Sequence, residues 1–304
     1  MLTVSRVYAP ALPTDLRHTL GSLRRSTRDP TMRFSSNGLW RATRTPDGPG
    51  VQHLRQSPHS FGPIESSSFG PGAQWLADHL PALLGAGDHE DDFPISHPKL
   101  NQWHARYRGL RIARTEAVWE AAYPAVLEQK VTGKEAWESF RLLHYRLSGP
   151  APTPPNGPKL LLPLDPRQIA NTPSHEFMNC NVERKRSTTI RVLADHASRL
   201  EQTVSMSRSD YNALFQTFPG VGAWTAAEIA IRALGDADAV SIGDFHLKNH
   251  VAWNLADRPR GTDDEMLELL EPFRPFRGKV VLLMQLAGED PPKYGPHLAI
   301  QKRW

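Results

Sequence analysis

The sequence of 304 residues contains a single cysteine, Cys180. One thiol excludes an internal disulfide, a zinc site built from several thiolates, and an iron–sulfur cluster held by four cysteines. No apolar run reaches the ~18 residues that a membrane span requires. The first residues, MLTVSRVYAPALPTDLR, lack the apolar core of a secretory signal. These absences predict a soluble, intracellular protein from a reducing compartment.

The sequence has only a small excess of positively charged over negatively charged residues. The chain has 36 lysines and arginines against 32 aspartates and glutamates, which gives a net charge of +4. This mild basicity fits an anionic partner but does not identify one. The length allows two or three domains and a sizeable buried core.

Two regions of different character are predicted, and together they indicate an α+β fold. Residues 1–95 combine short alternating segments with turns, as in residues 3–8 and 39–45, and are interpreted as a mixed sheet domain. The acidic stretch GDHEDDF marks a boundary near residue 90. Residues 96–304 show helical apolar spacing. They are interrupted by a proline-rich surface loop at 148–159 (SGPAPTPPNGPK).

The stretch FPGVGAWTAA, residues 218–227, lies between two helical patterns and predicts a helix-hairpin-helix. Gly220 can adopt a positive φ without penalty, and Gly222 removes a side chain where a ligand comes near. Val221 can point inward and fix the turn. Amides of the turn and of the following helix are then unpaired donors, which suits a backbone phosphate. An ordinary turn between two helices remains the alternative.

An acidic residue follows about twenty residues after the hairpin. In ALGDADAVSIGDFHLKNHV, Asp244 comes directly after a glycine and at the expected start of a helix. A carboxylate at that position accepts backbone N–H bonds, and the helix dipole stabilises its negative charge. A plain helix cap is the alternative role. Asp236 and Asp238 compete as candidates, but neither opens a helix.

Hairpin and aspartate together resemble the helix-hairpin-helix DNA glycosylases, specifically the 3-methyladenine DNA glycosylase II branch. The matching segments are FPGVGAWTAAEIAIRALGDADAVSIGDFHLKNHV (218–251), AVLEQKVTGKEA (125–136) and PFRGKVVLLMQLAG (275–288). The resemblance spans most of residues 98–290. The first domain is similar to the TATA-binding-protein-like antiparallel sheet of that branch, and the helical region is expected to form two subdomains.

The resemblance implies a monofunctional DNA N-glycosylase that releases alkylated purines such as 3-methyladenine and 7-methylguanine, with Asp244 as the catalytic residue. Bifunctional relatives carry a lysine two residues after the second glycine of the hairpin. Trp224 stands there, so no lyase step is expected. The implied product is an abasic site in double-stranded DNA. A monomer without an iron–sulfur cluster, cytoplasmic and associated with the nucleoid, is expected.

The resemblance also assigns roles to other positions. The expected DNA-binding residues are Gly220, Val221, Gly222, Ala223, Thr225, Gln129 and Lys130. The expected base-pocket residues are Trp224, Phe245, Glu228 and Gln285. No cofactor is expected apart from a structural Na⁺ or K⁺ held by the main-chain carbonyls of Gln216, Phe218 and Val221.

Several positions depart from the family pattern, and they leave alternatives open. Lys130 stands where the best-known members have an apolar wedge, so it can instead reach a phosphate or a base edge. Glu228 and Gln285 replace pocket residues that are usually aromatic. The lesion can therefore be another base, such as hypoxanthine, uracil or a bulky adduct. A non-catalytic module that binds damaged DNA is the third alternative.

Overall fold

The computed structural model of the protein describes residues 1–58, 61–88, 93–94 and 97–292. It is an α+β structure with a five-stranded antiparallel sheet and fifteen α-helices within these ranges, which confirms the predicted fold class. The expected boundary near residue 90 lies outside the described residues. None of the helices described is both long and apolar enough to cross a membrane.

The sheet is built from the N-terminal residues, and its neighbouring strands run in the order β1-β5-β4-β3-β2. The strands are β1 (Thr3–Tyr8), β2 (Met32–Ser35), β3 (Gly38–Thr45), β4 (Gly48–Gln56) and β5 (Ile64–Phe69). The hairpin between β3 and β4 has a tight turn, because Gly48 pairs with Thr45. Alternation puts Leu39 and Leu54 in the core beneath the sheet.

Helices make up most of the rest of the described chain. They are α1 (Leu16–Gly21), α2 (Ala73–Asp78), α3 (Leu80–Leu83), α4 (Pro98–Arg106), α5 (Val118–Leu127), α6 (Gly133–Leu147), α7 (Pro166–Asn171), α8 (Ser174–Met178), α9 (Arg184–Asp195), α10 (Ala197–Glu201), α11 (Arg208–Gln216), α12 (Ala223–Ile229), α13 (Leu247–Ala256), α14 (Asp263–Leu270) and α15 (Arg277–Ala287). A π-helical turn, Ala230–Leu234, extends α12.

Two helix starts show how local chemistry sets the boundaries. Thr132 and Glu135 form a reciprocal capping box at the start of α6. Helix α13 begins at Leu247, three residues later than expected. The Asp244 side chain accepts hydrogen bonds from the amides of His246 and Leu247, so it caps the turn that leads into the helix and the first helical residue.

The buried apolar side chains form four separate clusters. Every residue of α5 except Glu120 is buried, at the centre of the largest cluster. A second cluster joins α15 to α4, α13 and α14. Glu120 accepts hydrogen bonds from Thr43 and from the Arg44 amide, so the sheet is fastened directly to α5. The proline-rich loop does not lie wholly at the surface, because Ala151 is buried against β3 and β4.

Candidate active site

The hairpin between α11 and α12 is held by its first glycine. Gly220 has φ of +86°, and a Cβ there would lie 2.2 Å from the hydroxyl of Thr189 on α9. Only glycine fits this position without strain. The Thr189 hydroxyl donates to the Pro219 carbonyl at 3.2 Å, and the Val221 amide donates to the Phe218 carbonyl at 3.0 Å. Val221 is buried, as the sequence predicted.

The second glycine has a different environment. Gly222 has φ of −102°, which any residue can adopt, and a Cβ built there would meet no atom of the described chain within 4 Å. It directly precedes α12, whose first residues Ala223 and Trp224 leave their N–H groups without intrahelical partners. No side chain caps this helix end. The exposed amides at Gly222 and Ala223 therefore form an open site that favours an anion.

Gln129, between α5 and α6, reaches across to the hairpin. Its side-chain amide donates to the Gly220 carbonyl at 2.9 Å and to the Thr225 hydroxyl at 2.8 Å. Thr225 is buried, so its hydroxyl is occupied by this contact and is not presented to solvent. The neighbouring Lys130 is exposed and has φ of +54°, a conformation that costs a non-glycine residue energy. Gln129 thus fixes one end of a strained, solvent-facing loop against the hairpin.

The Asp244 carboxylate is held by three hydrogen bonds. Oδ1 accepts from the backbone amides of His246 at 2.8 Å and Leu247 at 2.9 Å. Oδ2 accepts from the indole Nε1 of Trp224 at 3.0 Å. Gly243, at φ of +87°, makes the turn that aims the aspartate. Asp244 is only partly buried.

Glu228 lies one turn after Trp224 on α12 and is nearly buried, with 15% of its side chain exposed. Its two oxygens accept from Arg232 and from the Ser241 hydroxyl. Burial alone would raise the pKa of the Glu228 carboxyl, but the charge of Arg232 and these hydrogen bonds outweigh burial and lower it. The carboxylate therefore stays charged and ties α12 to the segment that leads to Asp244.

The remaining predicted residues do not contact the aspartate. The Phe245 side chain is 72% exposed, and its ring meets His246 edge-on at 4.9 Å. Gln285 is exposed on α15. Within the described ranges, no hydrogen bond or ion pair connects Lys130 or Gln285 to Asp244. The structure thus brings together Asp244 and Trp224, with Gln129 joined separately to the hairpin.

Three residues at this site were not recognised in the sequence: Thr189, Arg232 and Ser241. Arg232 had a usable signal, because it follows Glu228 by four residues on one helix face, the spacing of an ion pair. Thr189 and Ser241 had none, since each meets its partner only through the tertiary fold.

The main-chain carbonyls of Gln216, Phe218 and Val221 belong to the hairpin and the helix end before it. Oxygen donors suit hard cations such as Na⁺ or K⁺. The Phe218 carbonyl already accepts the Val221 amide, but a carbonyl has a second lone pair for a cation. The donor chemistry therefore fits the implied ion.

Comparison with known proteins gives a structural likeness without a sequence match. No protein-family model and no curated sequence matches the chain. A 3-methyladenine DNA glycosylase from Archaeoglobus fulgidus is similar with a TM-score of 0.79 at 16% identity, covering 92% of this chain and 97% of that one. An 8-oxoguanine glycosylase/lyase from Clostridium acetobutylicum, in complex with double-stranded DNA, has a TM-score of 0.69 at 11% identity, covering 93% and 96%.

A third neighbour is the 3-methyladenine DNA glycosylase of Schizosaccharomyces pombe in complex with abasic DNA. Its TM-score is 0.52 at 18% identity, covering 64% of this chain and 93% of that one. These three proteins and the present chain share an overall fold. The chain therefore has the fold of the DNA glycosylases, and the resemblance inferred from its sequence is confirmed at that level.

Proposed function

We propose that this protein is a monofunctional DNA N-glycosylase that flips alkylated purines out of double-stranded DNA and releases them by hydrolysis. The observation that supports this most is the fixed Asp244 carboxylate, bound by Trp224 on the helix that the hairpin opens. One element would bind the strand while its neighbour holds the reactive group. Such coupling is what excision of a single base requires.

The proposed chemistry depends on the charge that develops on deoxyribose. As the bond from C1′ to the purine nitrogen breaks, positive charge builds on the sugar in an oxocarbenium-like transition state. Asp244 stabilises this charge and orients the attacking water. Its two backbone N–H bonds and the Trp224 bond fix the carboxylate in advance, so little reorganisation is needed during the reaction. The leaving base keeps the bonding electron pair, and water adds to C1′ as hydroxyl and releases its other proton to the solvent.

An N-alkylated purine suits this site because it is already cationic. It leaves as a neutral base without prior protonation, and the chain needs no dedicated acid. Extrusion of the base costs a few kcal/mol, and less at a damaged pair. The exposed ring of Phe245 and the indole of Trp224 would stack on the cation. The lesions 3-methyladenine and 7-methylguanine are therefore the proposed substrates.

The hairpin would bind the DNA backbone without reading sequence. The open amides at Gly222 and Ala223 face a phosphate, and the absence of a side chain at Gly222 lets the strand approach. The carbonyls of Gln216, Phe218 and Val221 would hold a Na⁺ or K⁺ ion, which adds positive charge beside that phosphate. The loop of Gln129 and Lys130 enters the gap that the flipped base leaves, with Lys130 on a phosphate or base edge.

A lyase step is not proposed, because Trp224 stands where a lysine nucleophile would be needed. An indole nitrogen cannot form a Schiff base with the sugar aldehyde, and here it donates to Asp244. The product is an intact strand with an abasic site. A second enzyme is needed to cut it.

Strand cleavage by alkali tests the proposal. A duplex oligonucleotide with one 7-methylguanine or 3-methyladenine is incubated with the protein, and half of the sample is then heated in alkali. Wild type should give breaks only after alkali, and Asp244→Asn should lose at least 10²-fold in rate, as when one preorganised stabilising group is removed. Breaks without alkali would contradict the monofunctional assignment, and equal rates for the two proteins would reject the role of Asp244.

A second candidate function is that of a DNA glycosylase that releases a different damaged base. Glu228 and Gln285 occupy positions where the resemblance implies aromatic pocket residues, and Gln285 is free to hydrogen-bond a neutral base. A panel with hypoxanthine, uracil and a bulky adduct separates this candidate from the first. Tight binding without excision of any lesion would instead support a non-catalytic damage-binding module.

A further inference from the structure

A concentrated positive charge in the sheet domain lies outside the site described above. Residues 16–35 contain five arginines and one aspartate, a net charge of +4 that equals that of the whole chain. Arg25 is buried and bonded to Glu128. Arg33 lies on the sheet face opposite to Met32 and Phe34. The other three, Arg17, Arg24 and Arg28, form what we call the arginine patch.

The patch is organised around one aromatic ring and one serine. The guanidinium carbons of Arg17 and Arg24 lie 5.6 and 5.4 Å from the Phe34 ring centre, so they are at most about 11 Å apart. Arg24 Nε donates to the Ser26 carbonyl, and the Arg28 amide donates to the Ser26 hydroxyl. Local contacts therefore hold the charges of Arg17 and Arg24 close together and fix the backbone of Arg28 next to them, which costs electrostatic energy unless an anion is near.

The three guanidinium groups form no ion pair with a carboxylate of the described residues. Across the described residues, none of them has a carboxylate partner within 4.0 Å. The acidic groups nearby are already engaged. Asp15 caps α1, Asp29 accepts from the Arg25 amide and from Thr31, and Glu138 is bonded to Arg141. The patch thus presents unpaired positive charge to solvent.

The position of the patch is fixed against the loop that carries Gln129 and Lys130. Arg25 Nη1 donates to Glu128 Oε1 at 2.8 Å, which anchors residues 24–29 to the end of α5. On the other side of the loop, the pKa of Glu138 on α6 is lowered mainly by its hydrogen bond from Arg141 and further by the charge of Arg28. Residues 24–29 therefore contact the residue that follows α5, and the charge of Arg28 lies near enough to α6 to act on Glu138.

We propose that the arginine patch binds the sugar–phosphate backbone of duplex DNA, so that the sheet domain extends the footprint beyond the hairpin. This rests on the proposed function, because it is the Gln129–Lys130 loop that would face the DNA. Gln129 touches the hairpin at Gly220, and the adjacent Glu128 is bonded to Arg25, which follows Arg24 of the patch, so the patch lies next to the loop that contacts the hairpin. Guanidinium groups bind phosphate oxygens with two parallel hydrogen bonds. The patch adds affinity and orientation without base specificity.

The experiment measures dissociation constants for a duplex with a stable abasic-site analogue between about 50 and 200 mM salt. The double variant Arg24→Gln/Arg28→Gln should bind at least tenfold more weakly at low salt. Its slope of log K against log salt should be less steep by about 2, roughly one for each phosphate that is no longer bound. Arg24→Lys/Arg28→Lys keeps the charge and should retain most of the slope. Arg55→Gln removes an exposed arginine that is paired with Glu65, and serves as the control.

The outcomes separate this proposal from the proposed enzyme activity. An unchanged slope in the glutamine pair, with a steep wild-type slope, overturns the patch alone. The same conclusion follows if the lysine pair is weakened as much as the glutamine pair, because the role is then structural. Wild type that does not bind duplex DNA overturns both proposals. If the glutamine pair has a less steep slope but the wild type excises no lesion, DNA binding by the patch is supported and the glycosylase activity is rejected.

Discussion

The indole Nε1 of Trp224 donates a hydrogen bond of 3.0 Å to Oδ2 of Asp244. The two residues are twenty positions apart and belong to different elements, so this bond connects the hairpin helix to the turn before α13. It also occupies the oxygen that the backbone amides do not reach. A structural change in the hairpin would therefore alter the position of the Asp244 carboxylate.

Trp224→Phe should slow base excision and leave DNA affinity unchanged. Phenylalanine keeps an aromatic ring but removes the N–H donor, and hydrogen bonds to a charged group are worth about 1.5–3 kcal/mol. The single-turnover rate at saturating protein is expected to fall about 10- to 100-fold. Trp137→Phe on α6, where the side chain is 41% exposed, is the matched control. A normal rate in the Trp224 variant would show that the bond does not position Asp244.

The two hairpin glycines should respond differently to alanine. Gly220→Ala places a Cβ 2.2 Å from the Thr189 hydroxyl at a φ of +86°, so the free energy of unfolding should fall by about 1–3 kcal/mol. Gly222→Ala meets no atom within 4 Å and should change stability by less than about 0.5 kcal/mol. Urea denaturation measures both effects.

Gly222→Ala should nevertheless weaken DNA binding by about tenfold, because the added methyl group separates the open amides from a phosphate oxygen by more than hydrogen-bond distance. A binding titration on the folded variant measures this. Unchanged affinity would mean that the strand does not approach the backbone at this glycine.

Glu228 is expected to act by positioning the loop that leads to Asp244. Both of its oxygens are engaged, with Arg232 and Ser241, so it has little capacity left to select a base. Ser241→Ala removes the link and keeps the ion pair. It should reduce excision of cationic 7-methylguanine and neutral hypoxanthine by the same factor, at a stability cost of about 1 kcal/mol. A selective loss for one lesion would place Glu228 in base recognition instead.

Local sequence chemistry predicted much of the framework. The alternation of β1 and the positive φ at Gly220 both follow from interactions within a few residues. Strand β2 was not predicted, because its four residues, MRFS, are too short for a periodic signal and are ordered by pairing with β3. Interactions between residues close in sequence are sufficient to predict the first features but not strand β2.

The contacts between residues of the candidate site could not be predicted from interactions between residues close in sequence. The contact of Glu228 with Ser241 spans thirteen positions, that of Trp224 with Asp244 twenty, and that of Arg25 with Glu128 more than a hundred. A sequence shows which residues can form such bonds but not which ones meet. Asp244 could be named as a candidate because glycine and helix signals surround it, whereas Arg25 had no comparable marker.

Acid should destabilise the fold through His144, which is buried on α6. Its Nδ1 donates to the Phe140 carbonyl, and its Nε2 accepts from the Tyr123 hydroxyl, so the neutral ring is satisfied. Burial lowers the pKa of His144 from its usual 6.5 to about 4. A group whose pKa is depressed in the folded state contributes stability above pH 6.5, and this contribution is lost as the pH falls towards 4.

The expected loss between pH 7.5 and pH 5 is about 2 kcal/mol of unfolding free energy, from the 1.36 kcal/mol that each pH interval of one unit contributes. The measurement compares urea denaturation of wild type and His144→Gln, which keeps a donor and an acceptor but does not titrate. The difference between the two curves is needed because Glu201, whose pKa burial raises to about 7, changes stability with the opposite sign. If that difference is independent of pH, His144 does not titrate as a buried neutral ring.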